Sequence, residues 1–142
     1  THEILEMLKC TMVPDLVQVP FNYLDTRFHD AMLILKEKNC EVHTRSTFLQ
    51  GLFFMDMSRL PTFFNSAKSV ISDMQEEHQK NLSGALLKYV LNKDFVDTVI
   101  MGVENLKQLE YNIENIISAK SLCELDIEVD ENVVTPSLWP KN

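Results

Sequence analysis

Residues that could bind a polar ligand lie where apolar, strand-like segments end. The stretch RSTFLQGLFF follows the strand-like NCEVHTR, and it places Arg45, Ser46 and Gln50 beside Gly51, the only glycine in the first half of the chain. Glycine lets the backbone turn tightly or approach a ligand closely. A serine here can equally cap a helix as the chain leaves a strand. The pattern therefore predicts either a ligand-binding strand end or an ordinary strand-to-loop transition.

A second candidate is the segment TVIMGVENLKQLEYNIEN, in which an apolar strand ends at Gly102 and a helix begins shortly afterwards. The free N–H groups and positive dipole end of such a helix form an anion site. In barrel folds, phosphate groups often bind after the last two strands. Lys107, Gln108 and Asn112 lie near one another on this helix. The alternative is that Gln108 caps the helix and the other two side chains face solvent.

A third candidate is Gln18, a polar residue inside the apolar strand-like segment DLVQVPF. A buried glutamine must form hydrogen bonds. Its partner is either a ligand or a nearby backbone group, and the sequence leaves both open.

Composition limits the class of protein. The chain has 142 residues, of which 45% are hydrophobic and 24% charged, so we expect one globular domain. No apolar run reaches the roughly 18–20 residues of a membrane helix, and no signal peptide is visible, which favours a cytoplasmic protein. The net charge of −8 argues against nucleic-acid and anionic-membrane partners. The chain begins without an initiator methionine and reads as part of a longer protein.

Neither a metal site nor a disulfide framework is expected. The cysteines are odd in number, far apart and form no CxxC pair, and the histidines are scattered. These residues are Cys10, Cys40 and Cys123, together with His2, His29, His43 and His78.

Short strands are expected near residues 15–20, 40–45 and 97–101, each followed by helical periodicity. Alternation of strands and helices predicts parallel neighbours in chain order, an α/β fold. Three strands cannot close a barrel, which takes about eight. The chain is therefore a compact α/β domain or part of a larger barrel. Residues 1–120 would form the body, and 121–142 a tail that packs back through its tryptophan.

Local signals predict how the helices begin and which side of the last helix is buried. Asp25 and Ser83 are candidate N-caps. Asn105 and Gln108 form a capping-box-like pair at the start of the last helix. The inner face of that helix is predicted to consist of Leu106, Leu109, Ile113, Ile116 and Ile117.

Three segments together resemble a known family. LVQVPFNYLD, VHTRSTFLQGLFF and TVIMGVENLKQLEYNI are similar to three successive motifs of the aldo/keto reductases, in the family's order and at roughly its spacing. The resemblance covers residues 1 to about 120, and the closing TPSLWP is similar to tails of some bacterial members. It implies a (β/α)8 TIM barrel that binds NADP(H) at the C-terminal ends of its strands. This chain would supply the last three strands with their helices.

The resemblance also implies roles for residues near the nicotinamide. Gln18 would hydrogen-bond the carboxamide. Arg45 stands where many members have an aromatic residue that stacks on the ring, although a guanidinium can also stack on a flat ring. Ser46, Phe48 and Gly51 would line the path of the pyrophosphate.

At the other end of the cofactor, the resemblance implies that Gly102 and Glu104 flank the adenosine phosphate. Gln108 and Asn112 would reach the adenine. NADP(H) is expected from the family, and NAD(H) is not excluded, because Lys107 is the only obvious basic partner for a 2′-phosphate on this loop and helix.

No catalytic residue is expected in this chain. The family's tyrosine acid and its lysine, aspartate and histidine partners lie on the first four strands, which are absent here. The intact parent would be an oxidoreductase that reduces a small carbonyl substrate or oxidises an alcohol, and this part alone would be inactive. One alternative is a standalone, non-catalytic half-barrel that serves interaction or assembly, self-associating through exposed strand edges. Another is a different phosphate-binding barrel enzyme, such as an aldolase or isomerase.

Overall fold

Three strands form one parallel sheet in chain order, as the sequence predicts. The computed structural model describes residues 2–9, 13–125 and 129–140. The strands are β1 (Leu16–Pro20), β2 (Glu41–Arg45) and β3 (Thr98–Val99). The helices are α1 (His2–Lys9), α2 (His29–Glu37), α3 (Asn65–His78), α4 (Leu82–Leu91) and α5 (Leu106–Ser118). Both strand pairs are parallel, and the strand order is β1-β2-β3. The α/β fold class is therefore confirmed.

The β3 strand is shorter than predicted, but hydrogen bonds beyond it lengthen its pairing with β2. Ile100 N–H donates to Thr44 O at 2.8 Å, and Asp97 N–H donates to Val42 O at 2.9 Å. The Asp97 carboxylate also accepts from Val42 N–H at 2.7 Å and from Lys36 Nζ at 2.6 Å. The lysine hydrogen bond is the main cause that lowers the pKa of Asp97 below its usual value. The Asp97 side chain therefore supplies a hydrogen bond to β2 beyond the end of the short β3 strand.

The two faces of the sheet differ in cover, because successive strand side chains point to opposite sides. Val19, Val42 and Thr44 face the helices and are buried. Leu16 lies on the other face and is exposed, and there His43 contacts Glu41 at 2.6 Å. Within the described residues, the sheet is thus covered by helices on one face only.

Helices α2 to α4 bury the apolar stripes that the sequence predicts. The buried residues are Ala31, Met32 and Leu35 of α2, Ala67, Val70, Ile71 and Met74 of α3, and nearly all of α4. Two predicted N-caps are wrong. Phe28 holds the N-cap position of α2, and the Asp25 carboxylate instead receives hydrogen bonds from Arg27. Ser83 lies inside α4, whose N-cap is Asn81.

The predicted inner face of α5 is wrong for three of its five residues, whereas Leu109 and Ile116 are partly buried. Leu106, Ile113 and Ile117 are 66%, 52% and 84% exposed, whereas Asn112 and Asn115 are buried. The cause is a close helix contact: a Cβ at Gly84 of α4 would lie only 2.2 Å from Asn115 O. Successive helix residues are about 100° apart. When the side of α5 that carries Asn115 meets α4, the apolar residues Leu106, Ile113 and Ile117 therefore do not face α4. We call Leu106, Ile113 and Ile117 the α5 stripe.

The C-terminal segment contacts the body at several points. Val133 and Val134 are buried, and the Trp139 ring meets Phe64 edge-on at 5.1 Å between centroids. Trp139 Nε1 donates to Val133 O at 2.8 Å. No described helix is both long and apolar enough to cross a membrane. Within the described ranges, no three His, Cys, Asp or Glu side chains gather as metal ligands.

Candidate functional site

A groove of about 610 Å³ lies at the C-terminal ends of β2 and β3. Its β2 wall consists of residues 45–51 with Phe54, and its β3 wall consists of residues 100–104 with Gln108. Gln18 of β1 completes the lining. The carboxyl ends of parallel strands meet at one edge of a sheet, and ligands bind there in α/β folds. The fold thus brings together two segments that are separated by about a third of the chain.

The β2 wall contains an unusual run of left-handed backbone. Ser46, Leu49 and Gln50 have φ values of 66°, 44° and 53°, although none is glycine. Gly51 follows at 81°, a conformation that explains why glycine occupies this position. Left-handed non-glycine residues cost on the order of 1–3 kcal/mol each and concentrate at functional sites. The strain marks this wall as a candidate for ligand binding.

Buried groups hold the strained wall in place. The side chains of Leu49, within the wall, and of Leu52 and Phe53, which follow it, are almost fully buried. Asn22, also buried, donates from Nδ2 to Ser46 O at 3.1 Å, and its Oδ1 accepts from the N–H groups of Leu24 and Asp25 at 3.0 Å each. Asn22 was not among the residues predicted from the sequence. Its signal was an asparagine directly after a strand, a position typical of side chains that organise turns.

The β3 wall is organised by two reciprocal side chains at the start of α5. Asn105 is the N-cap, and its Oδ1 accepts from Gln108 N–H at 3.0 Å. Gln108 Oε1 in turn accepts from Glu104 N–H at 2.7 Å. The predicted capping pair is therefore present, and Gln108 both caps the helix and lines the groove. Because Oε1 is engaged, the amide Nε2 is the group that Gln108 can offer to a ligand.

The groove collects nearly all the residues singled out from the sequence. Those that line it are Gln18, Arg45, Ser46, Phe48, Gly51, Gly102, Glu104 and Gln108. Asn112 is not among them: it is 3% exposed, and its Nδ2 lies 3.9 Å from the sulfur of Met101, which does line the groove. Gln18 is exposed rather than buried, because its face of the sheet is open.

The tail contacts the body of the protein through Arg27. This guanidinium forms a two-point contact with the buried Asp25, at 2.8 and 3.0 Å, and reaches Glu131 at 2.6 Å and Thr135 Oγ1 at 3.2 Å. The hydrogen bond to Asp25 is the main cause that raises the pKa of Arg27 above its ordinary value. A smaller cavity of about 290 Å³ lies beside it, lined by Arg45 and by residues 134–137.

The three tyrosines lie outside the lining of the groove. Tyr89 is buried and donates to Glu124 Oε2 at 3.0 Å. Burial, more than the neighbouring carboxylate, raises its pKa, and burial also raises the pKa of Tyr23. Tyr111 donates from α5 to Lys80 O. None is therefore placed in this chain to give a proton to a ligand in the groove.

The aldo/keto reductase family model matches residues 1–128 of the chain. The chain belongs to the aldo/keto reductase family. The resemblance of the three strand-end segments is thereby confirmed, and so is the assignment of the fold to part of a TIM barrel. Members of this family generally use nicotinamide cofactors.

Two solved structures of an aldo/keto reductase share the fold. The holo form of AKR11C1 from Bacillus halodurans matches with a TM-score of 0.62 and 20% identity, over 94% of this chain and 46% of that one. Its apo form matches with a TM-score of 0.62 and 22% identity, over 85% of this chain and 43% of that one. A comparison with curated protein sequences gives no significant match. The chain thus spans less than half the length of the reductase it matches.

The groove offers amide, hydroxyl and guanidinium donors to a ligand. Amides lie at both ends, in Gln18 and Gln108, and the Ser46 hydroxyl lies between them beside Arg45, whose Nη1 is 3.3 Å from Ser46 Oγ. A Cβ added at Gly51 or Gly102 would meet no atom within 4 Å, so open space borders the backbone of both walls. Polar side chains and accessible backbone are thus both available to a ligand in the groove.

Proposed function

We propose that this chain is the C-terminal part of an oxidoreductase that reduces a small carbonyl compound, or oxidises an alcohol, with a nicotinamide dinucleotide. The observation that carries the proposal is the groove, in a chain of this family, at the strand ends where barrel enzymes keep their active sites. The chain would supply one wall of the cofactor site. A bound nicotinamide supplies the hydride chemistry, and the protein's part is to hold and orient it.

The groove gives the dinucleotide a direction. Gln18 lies on the open face of the sheet, which points toward the interior of a complete barrel, so the nicotinamide belongs at that end. Its carboxamide would pair with the Gln18 amide, and the ring would lie against Arg45. Ser46, Phe48 and the glycine backbone at Gly51 would follow the pyrophosphate.

The adenosine half would lie along the β3 wall. Gly102 and Glu104 would flank it, and Gln108 would offer Nε2 to the adenine. Asn112 would lie beneath the groove lining and support it through its contact with Met101. The catalytic acid and its partners would come from the rest of the barrel, because the tyrosines of this chain lie elsewhere.

Nucleotide affinity in the intact protein tests this assignment. Gln108→Ala should weaken dinucleotide binding about two- to twelvefold, the loss of one neutral hydrogen bond of roughly 0.5–1.5 kcal/mol, with little change in turnover. Adenine contacts are the same in ground and transition states, so they affect affinity alone. Asn112→Ala should also weaken binding. Glu114→Ala, on an exposed part of α5, is the control and should change neither dinucleotide affinity nor turnover. Unchanged affinity in a folded Gln108 variant would remove the adenine assignment.

A turnover assay tests whether the chemistry lies outside the chain. Residues 1–142 alone should reduce no generic aldehyde in the presence of NADH or NADPH. Reduction above a blank protein would mean that the proton donor lies in this chain after all.

A second candidate function is a non-catalytic assembly module, which the exposed α5 stripe favours. In that case the stripe and the open strand edges would bind another copy of the chain. Analytical ultracentrifugation of the isolated chain separates the two proposals. A defined dimer that dissociates on Ile113→Lys would favour assembly, whereas a monomer or an undefined aggregate would not.

A further inference from the structure

The two ends of the groove carry opposite charges. Among the described residues that line it, only Arg45 and Glu104 are charged. Arg45 lies at the end of β2, beside Gln18 and Ser46, and Glu104 lies where the chain enters α5. Any ligand that spans the groove therefore meets a cation at one end and an anion at the other.

Glu104 is fixed at its end of the groove. Its backbone N–H donates to Gln108 Oε1 at 2.7 Å, and the next residue, Asn105, is the N-cap of α5. The side chain is exposed, and its carboxylate forms no ion pair with any residue that the structure describes. The negative charge is therefore not neutralised from within this part of the protein.

The basic residue nearest in sequence does not offset this charge. Lys107 is exposed on the first turn of α5, but it is not part of the groove lining. A 2′-phosphate needs a cation or hydrogen-bond donors in place of a carboxylate. A ribose with free 2′- and 3′-hydroxyls can instead donate to a carboxylate, as it does to the acidic residue that recognises NAD in Rossmann folds.

We propose that Glu104 makes the groove select NAD(H), which lacks a 2′-phosphate, over NADP(H). The proposal rests on the proposed function, in which the adenosine ribose lies at the β3 wall. It also departs from the expectation of NADP(H) that the family resemblance gives. At neutral pH a phosphate monoester carries a charge of about −1.5 to −2, so NADP(H) would bring a second anion against Glu104.

The test is a fluorescence titration of NADH and NADPH into the intact natural protein that contains this chain. NADH should bind at least about tenfold more tightly than NADPH. Glu104→Gln keeps the size of the side chain and removes its charge, so NADPH should bind more tightly to it and the preference should shrink to about threefold or less. Raising the salt concentration should also reduce the preference in the wild type, because salt screens repulsion between exposed charges.

Glu110→Gln is the matched control, since this glutamate is exposed on α5 outside the groove lining, and it should leave both affinities unchanged. If NADPH binds more tightly than NADH, or if Glu104→Gln leaves their ratio unchanged, the selectivity proposal is wrong and the proposed function stands. If neither nucleotide binds the folded wild-type protein, the proposed function fails as well.

Discussion

The β2 wall of the groove rests on a continuous core, whereas the β3 wall rests on a two-residue strand and a helix with an uncovered apolar side. Leu49 of the first wall is buried together with Leu52 and Phe53, and Asn22 donates to its strained backbone. The second wall itself includes the exposed Ile100 and Val103, and the exposed Leu106 follows it. The chain itself therefore determines the shape of the β2 wall. In our proposal, the β3 wall is completed by the other strands of the barrel.

The largest expected effect comes from breaking the support of the β2 wall. Asn22→Ala removes a buried side chain that makes three hydrogen bonds, leaving two N–H groups and one carbonyl without that partner. Asp25 N–H keeps its hydrogen bond to Asn22 O, and Ser46 O keeps the one from Leu49 N–H, so Leu24 N–H is the group left unpaired. That costs roughly 1–3 kcal/mol, and with the lost packing of the buried amide we expect a loss of about 3 kcal/mol in total. Urea unfolding of the intact protein measures it. Asn92→Ala, on an exposed asparagine after α4, should cost less than about 0.5 kcal/mol. Equal losses in the two variants would show that Asn22 is not a support.

A slightly smaller effect is expected from separating α5 from α4. Gly84→Ala forces a Cβ against the backbone of Asn115, which cannot turn away as a flexible side chain would. Overpacking of this kind costs about 1–3 kcal/mol, and the shift of α5 should also weaken nucleotide binding at the β3 wall. Gly102→Ala is a control for the substitution itself, because its Cβ would meet no atom within 4 Å. It should leave the free energy of unfolding nearly unchanged. If both variants unfold alike, the close helix contact does not position the second wall.

Two substitutions at adjacent positions of the strained loop should have opposite effects on the stability of the protein. Gly51→Ala places a Cβ on a residue with a φ of 81° and should destabilise the protein by about 1 kcal/mol. Gln50→Gly relieves a residue with a φ of 53° and should stabilise it, or at worst leave it unchanged, since the relief of strain is partly offset by added freedom of the unfolded chain. Thermal unfolding of the two variants measures whether each change raises or lowers the stability. Destabilisation by both to the same extent would mean that the left-handed backbone at Gln50 is not strained.

The smallest effect should appear at low pH, at the opposite end of β3. The folded-state pKa of Asp97 lies below its ordinary value of 3.8, with the hydrogen bond from Lys36 as the main cause. Its stabilising contribution is therefore present above that pH and is lost as the pH falls through the lower folded value. Exposed pairs contribute only about 0.2–1 kcal/mol, so the loss should be small. Asp97→Asn should flatten this part of the stability curve, whereas Asp94→Asn, on an exposed aspartate, should not.

Alternation of strands and helices was enough to predict the sheet, because short crossovers between consecutive strands leave parallel neighbours as the simple arrangement. The groove followed from it, since residues at the ends of neighbouring parallel strands must meet. The orientation of α5 could not be predicted in this way. Hydrophobic periodicity identifies an apolar side, but not which neighbour covers it, and here Gly84 allows α4 to take the side that carries Asn112 and Asn115.

The strain in the β2 wall was equally hidden from the sequence. Glycine at position 51 is consistent with a left-handed backbone, but the residue types of Ser46, Leu49 and Gln50 do not indicate their positive φ values. The wall is held by the buried Leu52 and Phe53 that follow it and by Asn22, which is distant in sequence and donates to Ser46 O. Asn112 illustrates the reverse case: its amide suggested a ligand contact, and its burial leaves it beneath the groove lining.

The uncovered α5 stripe also bears on how the protein should be prepared. Expression of residues 1–142 alone leaves Leu106, Ile113 and Ile117 in water, and apolar patches of this kind promote aggregation. A screen for solubility of the isolated chain would therefore select Ile117→Lys. Under the proposed function, the same change puts a charge into the contact between α5 and the remaining barrel. Variants selected for good behaviour of the isolated chain are thus the ones least suited to rebuilding the whole enzyme.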